Sequence, residues 1–103
     1  MSKLLNFVNP LFSFLKTIPR GRVTTYSNAA KRIGLKNPRN VSWILKQNTD
    51  RNSVPCYKVV MSNGKLAKGY KFGGEKIQKE RLENDGIIFD SKNRIIDFEN
   101  LVM

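Results

Sequence analysis

Histidine is absent from this chain of 103 residues, and cysteine occurs once, at Cys56. Together these two facts exclude a Cys/His zinc site and an intrachain disulfide. The carboxylates are scattered and offer no obvious alternative metal cluster, and no cofactor is expected. A single free thiol fits a reducing compartment, and the expectation is a soluble intracellular protein. Acidic residues are scarce as well, 8 against 19 Lys and Arg, for a formal net charge of +11. Residues 1–74 hold 14 basic side chains and one acid, Asp50, whereas residues 75–103 hold 5 basic and 7 acidic ones. Such a field calls for a polyanionic partner, nucleic acid first, unless a lysine- and asparagine-rich composition has merely produced a solvated surface. No run is long enough to span a bilayer, and no segment joins the basic residues to a long apolar helical face, so no membrane partner is expected. Asn6, Asn9 and Pro10 interrupt the stretch from Met1 to Ile18, which argues against a secretory signal. The length suits one core, and residues 1–103 are read as a single domain.

Asn9-Pro10 reads as a cap followed by a first helical position, and Leu11, Phe14, Leu15 and Ile18 recur at helical spacing. Pro19, Arg20 and Gly21 end that helix. Arg22-Val23-Thr24 reads as a short extended piece, with Thr25 capping a second helix whose inner face carries Tyr26, Ala30 and Ile33. Gly34 sits at a helix C-terminus, and Asn37-Pro38 repeats the cap-plus-proline start. The third helix turns Val41, Ile44 and Leu45 inward and Arg39, Ser42 and Lys46 outward. Two helices of about ten residues around a glycine turn, the second with a basic outer face, form a helix-turn-helix pattern, which also occurs in helical hairpins without a nucleic-acid role. Beyond Asn48 come the apolar segment Val54 to Val60, a turn at Ser62-Asn63-Gly64, a loop with Gly69, Gly73 and Gly74, and a charged helix from Ile77 to Asn84. Gly86 ends that helix before Ile87-Ile88-Phe89. Asp90 to Asn93 is a polar turn and Arg94 to Phe98 a closing strand.

Cys56 is the one strong nucleophile, although a lone cysteine in an apolar segment is most often inert packing. Its context is an ordered series of motifs. Ile18 to Tyr26 leads into the second helix, and Pro38-Arg39-Asn40-Val41 opens the third. Asn48 precedes Cys56 by eight residues, and Pro55-Cys56-Tyr57-Lys58-Val59 follows. Ser62 to Leu66, Gly69-Tyr70 and Glu83-Asn84-Asp85-Gly86 complete the series. The ordered set resembles the C-terminal DNA-binding and active-site domain of the O6-alkylguanine-DNA alkyltransferases.

That resemblance implies an α+β domain of winged-helix type with a helix-turn-helix and a small accessory sheet, binding duplex DNA as a monomer. It also implies a reaction: a flipped O6-alkylguanine gives its alkyl group irreversibly to Cys56, once per molecule. By resemblance Arg39 fills the vacated stack, Tyr26 crowds the neighbouring phosphate, and Ser42 permits close approach of the recognition helix, on which Lys46 is a further DNA contact. The carbonyls of Cys56 and Val59 accept from the guanine amine, Tyr70 donates to the leaving base, and Asn48 links the recognition helix to the active-site loop. One departure is prominent. Tyr57 stands where the family has a histidine, with Asp85 in the place of that histidine's glutamate partner, and a phenol is a poor base at neutral pH. The expectation is that Lys58 and a nearby helix dipole favour the thiolate while Tyr57 orders a water, and that transfer quickens from about pH 6 to about pH 9. The rival readings are a non-catalytic sensor that flips and holds alkylguanine, and a plain helix-turn-helix regulator.

Overall fold

The computed structural model describes residues 2–103. Two helices, α1 (Ser2–Leu5) and α2 (Val8–Thr17), open the chain. The apolar spacing of α2 works as expected, since Leu11, Phe14, Leu15 and Ile18 are all buried. Its start does not. The helix begins at Val8, so Asn9 and Pro10 lie inside the first turn instead of capping it. Proline is tolerated there because the first backbone N–H groups of a helix have no intrahelical acceptor.

Strand β1 (Thr24–Thr25) pairs in parallel with β2 (Val59–Val60), Thr24 opposite Val59 and Thr25 opposite Val60. This two-stranded sheet is the accessory sheet. Its first strand feeds directly into α3 (Tyr26–Ile33), where the Thr25 hydroxyl accepts from the Asn28 N–H at 3.0 Å and so caps the helix. Gly34, with φ of 79°, ends α3 in the left-handed conformation a glycine adopts without strain. The Asn37 side chain accepts from the Arg39 N–H at 3.0 Å and starts α4 (Arg39–Leu45). At eight and seven residues, α3 and α4 are shorter than the predicted ten, but they form the helix-turn-helix. Val41 and Ile44 enter the core, Leu45 is half-buried, and Arg39 and Lys46 are exposed.

Cys56–Lys58 form a short 3-10 turn immediately before β2. Helix α5 spans Gly74–Asn84, three residues longer at its start than Ile77 suggested. At Gly73, with φ of 126°, a Cβ would come within 2.4 Å of the Ile77 side chain, which lets only glycine begin the helix so tightly. The predicted closing strand Arg94–Phe98 is reduced to the isolated antiparallel pairings of Lys65 with Arg94 and Phe89 with Ile95. Asp97 adopts φ of 63°, which breaks the extended run, and Phe98 starts α6 (Phe98–Leu101), with its ring placed where a Cβ on Gly64 would touch it. The polar turn forms as expected, the Asp90 carboxylate accepting from the N–H groups of Lys92 and Arg94. The whole is a small α+β domain of winged-helix type. Its two parallel strands bring the start of α3 beside the cysteine turn, and α5 packs against that turn.

Candidate functional site

Six of the residues singled out in the sequence line one cavity: Tyr26, Ser42, Lys46, Cys56, Val59 and Tyr70. They come from four parts of the chain. Tyr26 opens α3, Ser42 and Lys46 come from α4 and its end, Cys56 and Val59 from the turn into β2, and Tyr70 from the glycine-containing loop. The cavity holds about 20 Å³, room for about one water and far less than a nucleobase. Beside it lies an open groove of about 520 Å³, lined by Tyr26, Pro38, Arg39, Ser42, Met61, Lys68 and Gly69. Tyr26, Ser42 and Gly69 border both, so the groove leads to the cavity wall.

Cys56 is buried, and Asn48 reaches it. The Asn48 amide donates to the Val54 carbonyl at 3.1 Å and to the Cys56 Sγ at 3.5 Å, while its oxygen accepts from the Asp50 N–H at 2.8 Å. One buried side chain therefore ties the end of α4 to the cysteine turn, the link assigned to it by resemblance. Burial pushes the Cys56 thiol above its ordinary value, opposed in order by the Asn48 contact, the thiol's own backbone N–H, and the cations of Arg81 and Lys71.

The carbonyls of Cys56 and Val59 are each engaged once already. Cys56 accepts from the Val59 N–H within the turn, and Val59 accepts from the Gln78 amide at 2.9 Å. Each keeps a second lone pair. Gln78, fully buried on α5, also donates to the Tyr57 carbonyl at 2.9 Å and accepts from the Ala67 N–H at 2.9 Å. It thereby fastens the cysteine turn to the loop that carries Tyr70. Across the top of that loop, the Lys71 ammonium donates to the carbonyls of Lys46 and Asn48, both at 2.8 Å.

Tyr57 and Asp85 are paired with each other and do not line the cavity. The Tyr57 hydroxyl donates to the Asp85 carboxylate at 2.6 Å, and the other oxygen of Asp85 faces Arg20 at 4.0 Å. Burial first, and then the Asp85 bond and charge, push the Tyr57 phenol far above its ordinary value. It is therefore neutral at any physiological pH and cannot act as a base. Burial likewise raises Tyr26 and Tyr70, which keeps both hydroxyls protonated as donors.

Lys58 is a correction. Its ammonium donates to the carbonyls of Ile18 at 2.7 Å and Pro19 at 3.2 Å and anchors the end of α2, so it is not the cation that faces the thiol. Nor does a helix of useful length begin at Cys56, which heads a turn of three residues, too few for a macrodipole. The cation nearest in role is Arg81, which the sequence reading left inside a charged helix. Its guanidinium lies 4.4 Å from the centroid of the Tyr57 ring, and Nη1 is 3.5 Å from the Tyr70 hydroxyl. Gln78, Arg81, Leu82 and Asp85 follow one another at i, i+3, i+4 and i+7, one face of a helix. A glutamine, a leucine and the aligned carboxylate on one stripe are the signal that could have identified the arginine between them.

Among the described residues no group of three or more Cys, Asp or Glu is placed to hold a metal ion, and no helix is long and apolar enough to cross a membrane.

Known proteins similar to this chain include named methyltransferases and an Atl protein solved with damaged DNA. Residues 6–87 match the family model described as 6-O-methylguanine DNA methyltransferase, DNA binding domain. A bifunctional methyltransferase/endonuclease of Picrophilus torridus is 48% identical over 79 residues, 75% of this chain and 26% of that protein. A methylated-DNA--protein-cysteine methyltransferase of Methanothermobacter thermautotrophicus is 37% identical over 78 residues, 76% of this chain and 43% of that protein. The chain thus spans less than half of either relative. The crystal structure of S. pombe Atl1 in complex with damaged DNA containing O6-carboxymethylguanine superposes with a TM-score of 0.79 at 25% identity, covering 100% of this chain and 96% of that one.

Proposed function

The chain belongs to the 6-O-methylguanine DNA methyltransferase family, through that family's DNA-binding domain, and from this premise we propose that it binds duplex DNA, flips O6-alkylguanine out of the stack and takes the alkyl group onto Cys56. The observation that carries the reading is the placement of the chain's sole thiol in the wall of a cavity shared with Tyr26 and Ser42 of the helix-turn-helix. In this reading residues 1–103 act as one unit and as a monomer.

The basic, acid-poor helices α3 and α4 approach the duplex, with Lys46 a phosphate contact and Ser42 small enough to let α4 come close. Arg39, exposed on the groove rim, fills the gap left by the flipped base, and Tyr26 presses on the adjoining phosphate. Because the cavity is smaller than a base, entry requires the loop around Gly69 to Lys71 to move away from α4. The free lone pairs of the Cys56 and Val59 carbonyls accept from the guanine amine. The thiol loses its proton to solvent, Sγ attacks the alkyl carbon, the carbon–oxygen bond breaks, and guanine leaves with its oxygen charge met by the Tyr70 hydroxyl. The product is a thioether, which does not revert, so each molecule acts once. Tyr57, held by Asp85 outside the cavity lining, takes no proton from the thiol itself.

A second reading has its own support. The likeness to S. pombe Atl1 covers nearly all of both chains, and a neutral Tyr57 leaves Cys56 without a base, as a sensor that holds the lesion unreacted would have it. Intact mass separates the two. Mixed with duplex DNA bearing one O6-methylguanine, the transferase gains one methyl group and the Cys56→Ser variant gains none; a sensor binds the lesion and its mass stays unchanged.

A further inference from the structure

Arg81 has no carboxylate within ion-pair distance among the described residues, where the only salt bridges are Arg20 with Asp85 and Arg94 with Glu99. The side chain is half-buried. Here its partners are the π face of Tyr57, the Tyr70 hydroxyl at 3.5 Å and the Arg51 carbonyl at 3.4 Å. Tyr57 follows Cys56 in the turn, and Tyr70 shares its cavity. The unspent charge therefore sits on two aromatic residues that both neighbour the thiol.

We propose that Arg81 is the positioning residue of the cysteine site: it holds Tyr57 and Tyr70 against Cys56 and supplies the fixed positive charge that stabilises the thiolate in a chain without histidine. The inference rests on the transfer reading for its purpose, not for its test. A histidine base removes the proton during reaction, whereas a fixed cation shifts the resting equilibrium of the thiol. The second arrangement needs no group that titrates near neutrality, and among the described residues no such side chain stands around the thiol. Tyr26 from α3, Lys46 from the end of α4, Tyr70 and Lys71 from the loop and Gln78 from α5 line its cavity, and Asn48 donates to it; Tyr57 and Arg81 stand outside that lining, the guanidinium on the Tyr57 ring and against the Tyr70 hydroxyl. Lys58 is turned onto the Ile18 and Pro19 carbonyls just beyond α2, Asp85 is bound to the Tyr57 hydroxyl, and Arg51 and Glu80 line an outer groove with Arg81. Lys46 and Lys71 also line the cavity, but Lys46 is exposed and the Lys71 ammonium is already held by the carbonyls of Lys46 and Asn48, just beyond α4. Burial opposes the thiolate here, and Arg81 works against that cost.

The test is the titration of Cys56 by the NMR shift of its 13Cβ, which a chain with one cysteine reports as a single resonance and which needs no DNA. Arg81→Met is expected to raise the midpoint by about one unit, and Arg81→Lys by less than half as much. Arg81→Gln, whose amide still reaches toward Tyr70, is the second neutral variant should Arg81→Met not fold, and is expected to behave like it. A midpoint unchanged in the neutral variants, or raised equally by Arg81→Lys, overturns the proposal, the second result showing that shape and not charge matters. Methyl transfer is read separately by mass. A shifted titration without transfer in the parent chain leaves Arg81's role standing and removes the transfer reading; transfer with an unshifted titration does the reverse.

Discussion

Under the proposed transfer, the state of Tyr57 bears first on how the thiol ionises. Its hydroxyl proton already points at Asp85, and its phenol is held neutral by burial and by that carboxylate, so the thiolate forms only by equilibrium with solvent. The sign of the pH dependence follows. Burial raises the Cys56 thiol, the reactive form is the deprotonated one, and the rate of transfer is expected to climb from about pH 6 to about pH 9, approaching tenfold per unit while the thiol is mostly protonated. Single-turnover rates across that range check this, and a flat profile contradicts it. Tyr57→His places a base against the same carboxylate and is expected to speed transfer near pH 7 by about tenfold or more. A slower or unchanged variant would show that the phenol has a role that imidazole cannot fill. Gln78 answers to stability instead. Its replacement by Ala strips partners from the buried Ala67 N–H and from the carbonyls of Tyr57 and Val59. A loss of about 3 kcal/mol in denaturant unfolding is expected, with looser closure of the cavity.

The elements differ in how far their sequences announced them. In α2, Leu11, Phe14, Leu15 and Ile18 repeat at helical spacing because one face must be buried, and the structure buries all four. In α3 the Thr25 cap and the Gly34 stop are local chemistry, settled within three residues, and both form. Thr25→Ala is accordingly expected to cost about 1 kcal/mol, measured by thermal or denaturant unfolding. Contacts across the chain were less legible. The left-handed Asp97 is held locally by the Asn100 amide, but the short α6 in place of a strand also packs Phe98 onto Gly64, some thirty residues away. The same limit applied to the site. Cys56, Asn48 and Tyr70 stand in an ordered series of motifs, whereas Arg81 and Gln78 matter only because α5 docks against the cysteine turn, a tertiary fact. Lys58 shows the converse: adjacency in sequence placed it beside the thiol, and a short turn carried its ammonium to the end of α2.

For the molecule as a whole, charge and shape are divided in the same way. The acid-poor part of the sequence carries the helix-turn-helix and the groove, and the acid-bearing part supplies α5, packed on the cysteine turn, and the tail. Binding to duplex DNA is therefore expected to weaken steeply with salt, by about 10²-fold between about 50 and about 200 mM if four phosphates are neutralised, with Arg39→Ala losing more preference for the lesion than general affinity. Fluorescence anisotropy with matched and alkylated duplexes separates those two effects. The most direct test is the mass of the intact protein after incubation with duplex DNA carrying a single O6-methylguanine, beside the Cys56→Ser variant. A gain of one methyl group in the parent chain, absent from the variant, is the predicted result. An unchanged mass in a sample that still binds the alkylated duplex tightly would contradict transfer and leave a lesion sensor.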